Sequence, residues 1–196
     1  MQYDSCPTIA PFLGYMGVAA SIVFANVGAA AGTARAGTGI MQSGIKSPEL
    51  VWRNLIPIVM AGVNGIYGLI TSIVILGSIS APVDGGYNQY SLYTGCAHLA
   101  AGLCCGLSGL GSGLCIGIAG DAAIMACGAY SVASKRSAGR GRGGGRARGG
   151  EKKKGGGSEK LFVAMVLVQV FAGNIALYGL IASIILSQQT YYCGGQ

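Results

Sequence analysis

Met60-Ala-Gly-Val-Asn-Gly-Ile-Tyr-Gly-Leu-Ile-Thr-Ser-Ile73 recurs further along the chain as Phe171-Ala-Gly-Asn-Ile-Ala-Leu-Tyr-Gly-Leu-Ile-Ala-Ser-Ile184. Two segments are therefore versions of one apolar helix. Outward from each copy the apolar character continues, and the whole chain divides into four such stretches, 11–33, 55–78, 94–128 and 161–187. Each exceeds the ~20 residues needed to cross a bilayer. Because the second and fourth stretches are the copies, the unit is a helical hairpin fused twice. Two spans per half make the repeats parallel rather than inverted. The predicted fold is all-α, a polytopic membrane protein of four transmembrane helices in two hairpins, 11–78 and 94–187.

Composition agrees. The 196 residues are 52% hydrophobic and 10% charged, with mean hydropathy +0.56, against about 25% charged residues in a soluble domain. The first stretch begins close to Met1, lacks a basic n-region and is followed by further spans, so it is expected to be retained and not cleaved as a signal peptide.

All 13 Lys and Arg fall in two connections: Arg35, Lys46 and Arg53 in 33–54, and ten more in 131–160. An even number of spans puts both connections on one side, and the positive-inside rule makes that side cytoplasmic and both termini lumenal or external. Tyr3, Tyr87, Tyr90, Tyr93, Tyr191 and Tyr192 fall at the opposite end, with Trp52 at the cytoplasmic one, as interfacial aromatics do. The second connection interrupts the second hairpin. Its ten basic residues, two glutamates and Gly-Arg repeats predict a disordered segment that lies near anionic lipid, with an acidic soluble partner as an alternative. RNA binding, which Arg-Gly segments can support, is disfavoured beside a membrane.

In the third span Gly102, Gly106, Gly109, Gly113, Gly117 and Gly120 recur every three or four residues, and the first span has Gly14, Gly17, Gly28 and Gly32. Glycine costs up to ~1 kcal/mol per helix-interior position, so such a stripe signals close backbone packing. One chain has too few helices to use all of it. This predicts a ring, with glycine-striped helices as the inner layer and the second and fourth spans as the outer one. Packing within a single four-helix bundle is the alternative.

Cys104, Cys105, Cys115 and Cys127 lie along one apolar helix without His or carboxylate at ligand spacing, so they read as small buried thiols rather than a metal centre. Cys6 and Cys193 both fall near the non-cytoplasmic face and could pair if it is oxidising. His98, the single histidine, reads as a satisfied interfacial residue with no partner visible in the sequence. No phosphate-binding loop and no nucleophile paired with a base occur. The chain is not expected to be an enzyme, and no metal or cofactor is expected.

Several stretches in order, Gly28-Ala-Ala-Ala-Gly-Thr-Ala, Pro57-Ile-Val-Met-Ala-Gly, Tyr93-Thr-Gly, Gly106-Leu-Ser-Gly-Leu, Gly117-Ile-Ala-Gly-Asp-Ala, Leu161-Phe-Val and Leu177-Tyr-Gly-Leu-Ile, resemble the V-type ATPase proteolipids across nearly the whole chain outside the basic insert. The resemblance implies a four-helix subunit of a membrane ring that turns against a stator, at a vacuolar or other acidic endomembrane. Its implied partners are other proteolipid copies or paralogues, the membrane-sector stator, central-stalk subunits and lipid. ATP would be hydrolysed in a separate soluble sector, and no nucleic acid is implied.

In that family a carboxylate midway along the fourth helix, just before Leu-Tyr-Gly, binds and releases the transported proton. Desolvation keeps it neutral against lipid until it meets the stator's arginine. The matching position is Gly173, and its equivalent in the second helix is Gly62. Neither can hold a proton. The carboxylates are Asp4, Glu49, Asp84, Asp121, Glu151 and Glu159, all read as lying in connections or near helix ends. The intramembrane polar candidates are Asn26, Asn64, Gln169 and Asn174. Amides do not titrate in the physiological range, so these read as interhelical hydrogen-bond partners, with a polar path for water or ions as the lesser option. Gln169 lies one turn before Gly173, but a helical side chain leans away from the vacated place.

Three functions follow from this pattern: a carboxylate-free member of a mixed rotor ring, a proteolipid repurposed as a ring, plug or junction outside any ATPase, or a sequence variant of a proton-carrying subunit.

Overall fold

The computed structural model describes residues 9–46, 48, 51–79, 90–140 and 156–191. Four helices follow one another, α1 (Ala10–Lys46), α2 (Ile56–Ser78), α3 (Leu92–Arg140) and α4 (Gly156–Ser187), with a 3-10 turn at Arg53–Leu55 leading into α2. All four are long and apolar enough to cross a membrane. The buried face of α2 is Pro57, Ala61, Asn64, Gly68, Thr71, Ser72 and Ile75, mostly small or polar, whereas Val59, Ile66 and Ile73 are more than half exposed. A water-soluble helix shows the reverse pattern, and small residues inside with large aliphatics outside is the arrangement that lipid favours. The chain is an integral membrane protein.

α1 and α3 run in the same direction and meet backbone to backbone. A side chain at Gly102 would run into Gly17 and one at Gly113 into Gly28, while Gly106 faces Ala20 and Phe24, Gly109 faces Ala25, and Gly117 faces Gly32. Gly120 turns instead toward Pro57 of α2 and Gln169 of α4. This corrects the expectation that the stripe exceeds what one chain can use. The glycines of α1 stay in register with those of α3 over several turns, so the stripe is filled inside one chain and does not by itself require neighbouring copies.

The sequence repeat is also a packing repeat. Gly68 of α2 sits on Ser21 and Ala25 of α1, and Gly179 of α4 sits on Cys104 and Ser108 of α3. Each Tyr-Gly-Leu-Ile glycine is thus the point where an outer helix touches the inner helix of its own hairpin.

The helices differ in length. α2 has 23 residues, about 34 Å, which matches a hydrocarbon core of ~30 Å. α3 has 49 residues, and because Gly120 is level with Pro57 near the start of α2, residues 121–140 project past α2 by about 30 Å. α1 accompanies them, with Gly39 beside Asp121 and Ser43 beside Gly128, and so does α4, with Gly157 against Tyr130. The projection keeps an apolar core of Ile40, Ile124 and Met165, flanked by Val51, Ile58, Ala123 and Phe162. The Arg53 guanidinium lies over the Phe162 ring, 5.4 Å from its centroid.

Several sequence expectations change here. Residues 33–46, read as part of a connection, belong to α1, and the basic segment, read as disordered over 131–160, is helical over 131–140 and 156–160. Hydropathy falls where the helices leave lipid, but Ala, Ser, Lys and Arg all tolerate helix, and the buried face continues. Residues 141–155 lie outside the described residues, as do Cys6, Cys193, Tyr3, Tyr87, Tyr192 and the carboxylates Asp4, Glu49, Asp84 and Glu151. Asp121 stands well inside α3, not near a helix end. Its position beside Gly39, one residue beyond the Gly120 contact with Pro57, puts it at the level where α2 begins.

Candidate functional site

Gly62 and Gly173, the paired positions of the repeat, share one environment. A Cβ built on either meets nothing within 4 Å. Gly173 is half-buried and Gly62 exposed. Both are open on the outer side of their helices, where a larger side chain has room.

Behind Gly173 a neutral polar seam joins three helices. Asn64 Nδ2 donates to Ser112 Oγ (3.1 Å), and Ser112 Oγ donates to the Ala172 carbonyl (2.6 Å). Ala61, Ile116 and Ala172 close over it as a buried apolar cluster. One turn toward the basic end, Gln169 is fully buried. Its Nε2 donates a long bond to the Ile116 carbonyl (3.4 Å), and its Oε1 has no partner among the described residues. Serine hydroxyls fasten the hairpin as well: Ser21 Oγ donates to the Gly68 carbonyl (3.1 Å), and Ser72 Oγ bonds the Val18 carbonyl (3.1 Å). Thr71 Oγ1 lies 3.1 Å from both the Tyr67 carbonyl and Cys105 Sγ.

The four amides therefore separate. Asn64 and Gln169 bond across helices. Asn26 Nδ2 instead donates to Ile22 of its own helix (2.9 Å), with Oδ1 lying against Gly65 of α2. Asn174 is half-buried and makes no hydrogen bond to another described side chain or carbonyl. For Asn26 the expectation of an interhelical partner is corrected, because its carboxamide is short enough to reach back to the preceding turn. Ser112 does not stand out in the sequence, although it sits between Gly109 and Gly113 on the striped face, where a lone hydroxyl among glycines marks a bonding position.

At the other end of the bundle His98 has two partners that the sequence does not reveal. Its Nδ1 lies 2.6 Å from Tyr90 Oη and its Nε2 lies 3.2 Å from the Ser187 carbonyl. Burial pushes the Tyr90 phenol up to about 12. Next to it, Thr94 Oγ1 donates to the Tyr191 carbonyl (2.8 Å) and accepts from the Tyr191 N–H (3.0 Å), and the Tyr93 and Tyr191 rings meet edge to face at 6.1 Å. Trp52, by contrast, is exposed at the basic end. Of the cysteines read as small buried thiols, Cys105 and Cys127 are buried and Cys104 is partly so, but Cys115 is exposed.

Known proteins match this architecture. The family of the ATP synthase C subunit matches residues 16–75 and 99–186, one block per hairpin. The V-type proton ATPase 16 kDa proteolipid subunit of Chrysotila carterae is 46% identical over 190 residues, covering 97% of this chain and 98% of that protein.

Proposed function

The chain belongs to the family of the ATP synthase C subunit, and on that premise we propose that it is a proteolipid subunit of a V-type proton ATPase, seated in the rotor ring of the membrane sector. The reading is supported by the near full-length match to a V-type proteolipid and by a four-helix, twice-repeated hairpin whose outer face is apolar. It is a non-catalytic subunit, with ATP hydrolysed in a separate soluble sector. The ring stands at a vacuolar or other acidic endomembrane, with the projecting basic end cytoplasmic and the Tyr90–His98 end, with both termini, lumenal. Its neighbours are other proteolipids, the stator, the central stalk and lipid.

This copy carries no proton. Of the described carboxylates, Asp121 is level with the start of α2 and Glu159 lies in the first turn of α4, so no described carboxylate shares the depth of Gly62 and Gly173. The neutral seam of Asn64, Ser112 and Gln169 holds the helices together where the family's carboxylate would be. The chain therefore acts as a structural member of a ring whose proton carriers are paralogous subunits. Mass spectrometry of the intact complex tests this by counting the chain against its carboxylate-bearing paralogues. A stoichiometric minority supports the mixed ring. The specific observation of an uncharged site also favours a second reading, a proteolipid assembled outside any ATPase, and its recovery only in assemblies lacking ATPase subunits would establish that alternative.

A further inference from the structure

The end of the bundle at which α1 starts and α4 finishes holds a cluster with one consistent arrangement of protons. His98 and Tyr90 are 0% and 1% exposed. A carbonyl can only accept, so the Ser187 carbonyl fixes the hydrogen on His98 Nε2. In the neutral ring Nδ1 is then a bare acceptor, and the Tyr90 hydroxyl donates to it. The cluster ties the segment entering α3, α3 itself and the last residue of α4. The adjoining Thr94 bonds hold the tail, residues 188–191, on the same helix.

We propose that Tyr90, His98 and the Ser187 carbonyl form an acid-released latch, in which proton uptake by His98 loosens the end of α4 and its tail from α3. The step moves one proton from water to the Nδ1 lone pair, giving an imidazolium with hydrogens on both nitrogens. Two hydrogens then compete for a 2.6 Å gap, so the Tyr90 hydroxyl must turn its own hydrogen away. α1 is close, with Gly14 packed against the hydroxyl, and among the described residues the hydroxyl has no hydrogen-bond partner besides His98. A buried donor without a partner and a buried charge without a counter-ion both favour an opened arrangement that reaches water.

Among the described residues, the facing groups offer no compensation. α1 presents Gly14 and the Gly17 backbone, with Tyr15 the titratable group that acts on Tyr90; α3 adds Cys96; α4 contributes the Ser187 carbonyl. The described carboxylates, Asp121 and Glu159, belong to the other end. Acid as the trigger in the cell rests on the orientation proposed above, whereas the latch chemistry does not.

Hydrogen–deuterium exchange on the full chain in nanodiscs, open to buffer on both faces, tests the latch at about pH 8 and about pH 5. After correction for intrinsic rates, the amides of 186–191 should exchange ~10-fold faster or more in acid. His98→Gln, whose amide can accept from Tyr90 and donate to Ser187 without titrating, should show no such difference. The single histidine gives a second readout in the native chain, because its ring nitrogens report the Nε2–H tautomer near neutrality and conversion to imidazolium in step with the exchange. Exchange that is independent of pH, that responds equally in His98→Gln, or that moves at a pH where the imidazole does not titrate overturns the proposal. Since both faces are open, a wrong orientation leaves these outcomes unchanged and is exposed separately by proteolysis of sealed vesicles.

Discussion

Gly173 is the residue on which the proposed function turns, and its surroundings allow a direct test. A side chain there meets open space, and a helical side chain leans toward the preceding turn, where Gln169 Oε1 is buried without a described partner. A protonated carboxyl at this position has room on the outer side of α4. Gly173→Glu should therefore fold, stay neutral against lipid and become reactive to a hydrophobic carbodiimide, while the native chain remains unlabelled in α2 and α4. Labelling of native α2 or α4, read by peptide mass, would contradict the assignment of the vacated position. Tyr90 supports a second expectation. Its phenol is raised from an ordinary 10.0 to about 12 by burial, so the stabilisation it gives the fold is fully present below about pH 10 and lost as pH rises through about 12. Tyrosinate absorbance should show a late-titrating phenol that Tyr90→Phe removes. At this scale the sequence marks single positions better than their partners. Gly173 stands out because a motif frames it, but Ser112 and Ser187 become partners only through helix pairing, which brings together residues 60 and 89 positions apart, and Tyr90 only because the segment entering α3 folds back on His98.

Among the elements, α1 and α3 make the seam most sensitive to substitution. Gly113 lies against the Gly28 backbone, whereas Gly111, two residues away, has no neighbour within 4 Å. Gly113→Leu must push two backbones apart and should destabilise the chain by about 1–3 kcal/mol or more, read as a lower thermal midpoint in detergent. Gly111→Leu should leave the single chain's midpoint nearly unchanged and gain slightly in helix propensity. Equal losses would show that the seam is not set by these contacts. The stripe's existence is legible from the spacing of Gly102 to Gly120, and its partner is not. Spacing identifies a face but not the helix across it, and here that helix is α1 of the same chain. Helix ends escape a sequence reading for a related reason: hydropathy reports where lipid stops, whereas α3 continues to Arg140 because Ile124 still packs on Ile40 and Met165.

For the whole molecule, orientation is the property on which acid as the trigger in the cell depends. The charge distribution, with all 13 basic residues falling within 33–54 and 131–160 of the sequence, predicts that trypsin added to sealed vesicles with the cytoplasmic face outward cuts within 141–155. Protection until detergent is added would reverse the orientation. The two-hairpin repeat is readable from the sequence alone, since Met60–Ile73 and Phe171–Ile184 announce it. The projection beyond α2 is not, since it depends on comparing lengths of helices that are neighbours only in space.

The contact between α1 and α3 has a mechanical consequence. Where Gly17 meets Gly102 and Gly28 meets Gly113, no side chains lie between the two helices. Glycine has no rotamers to redistribute under load, and a close-packed seam resists compression. A twisting force applied at the projecting end therefore meets almost no elastic slack along this pair, and reaches the depth of Gly173 with little of its work lost to shear.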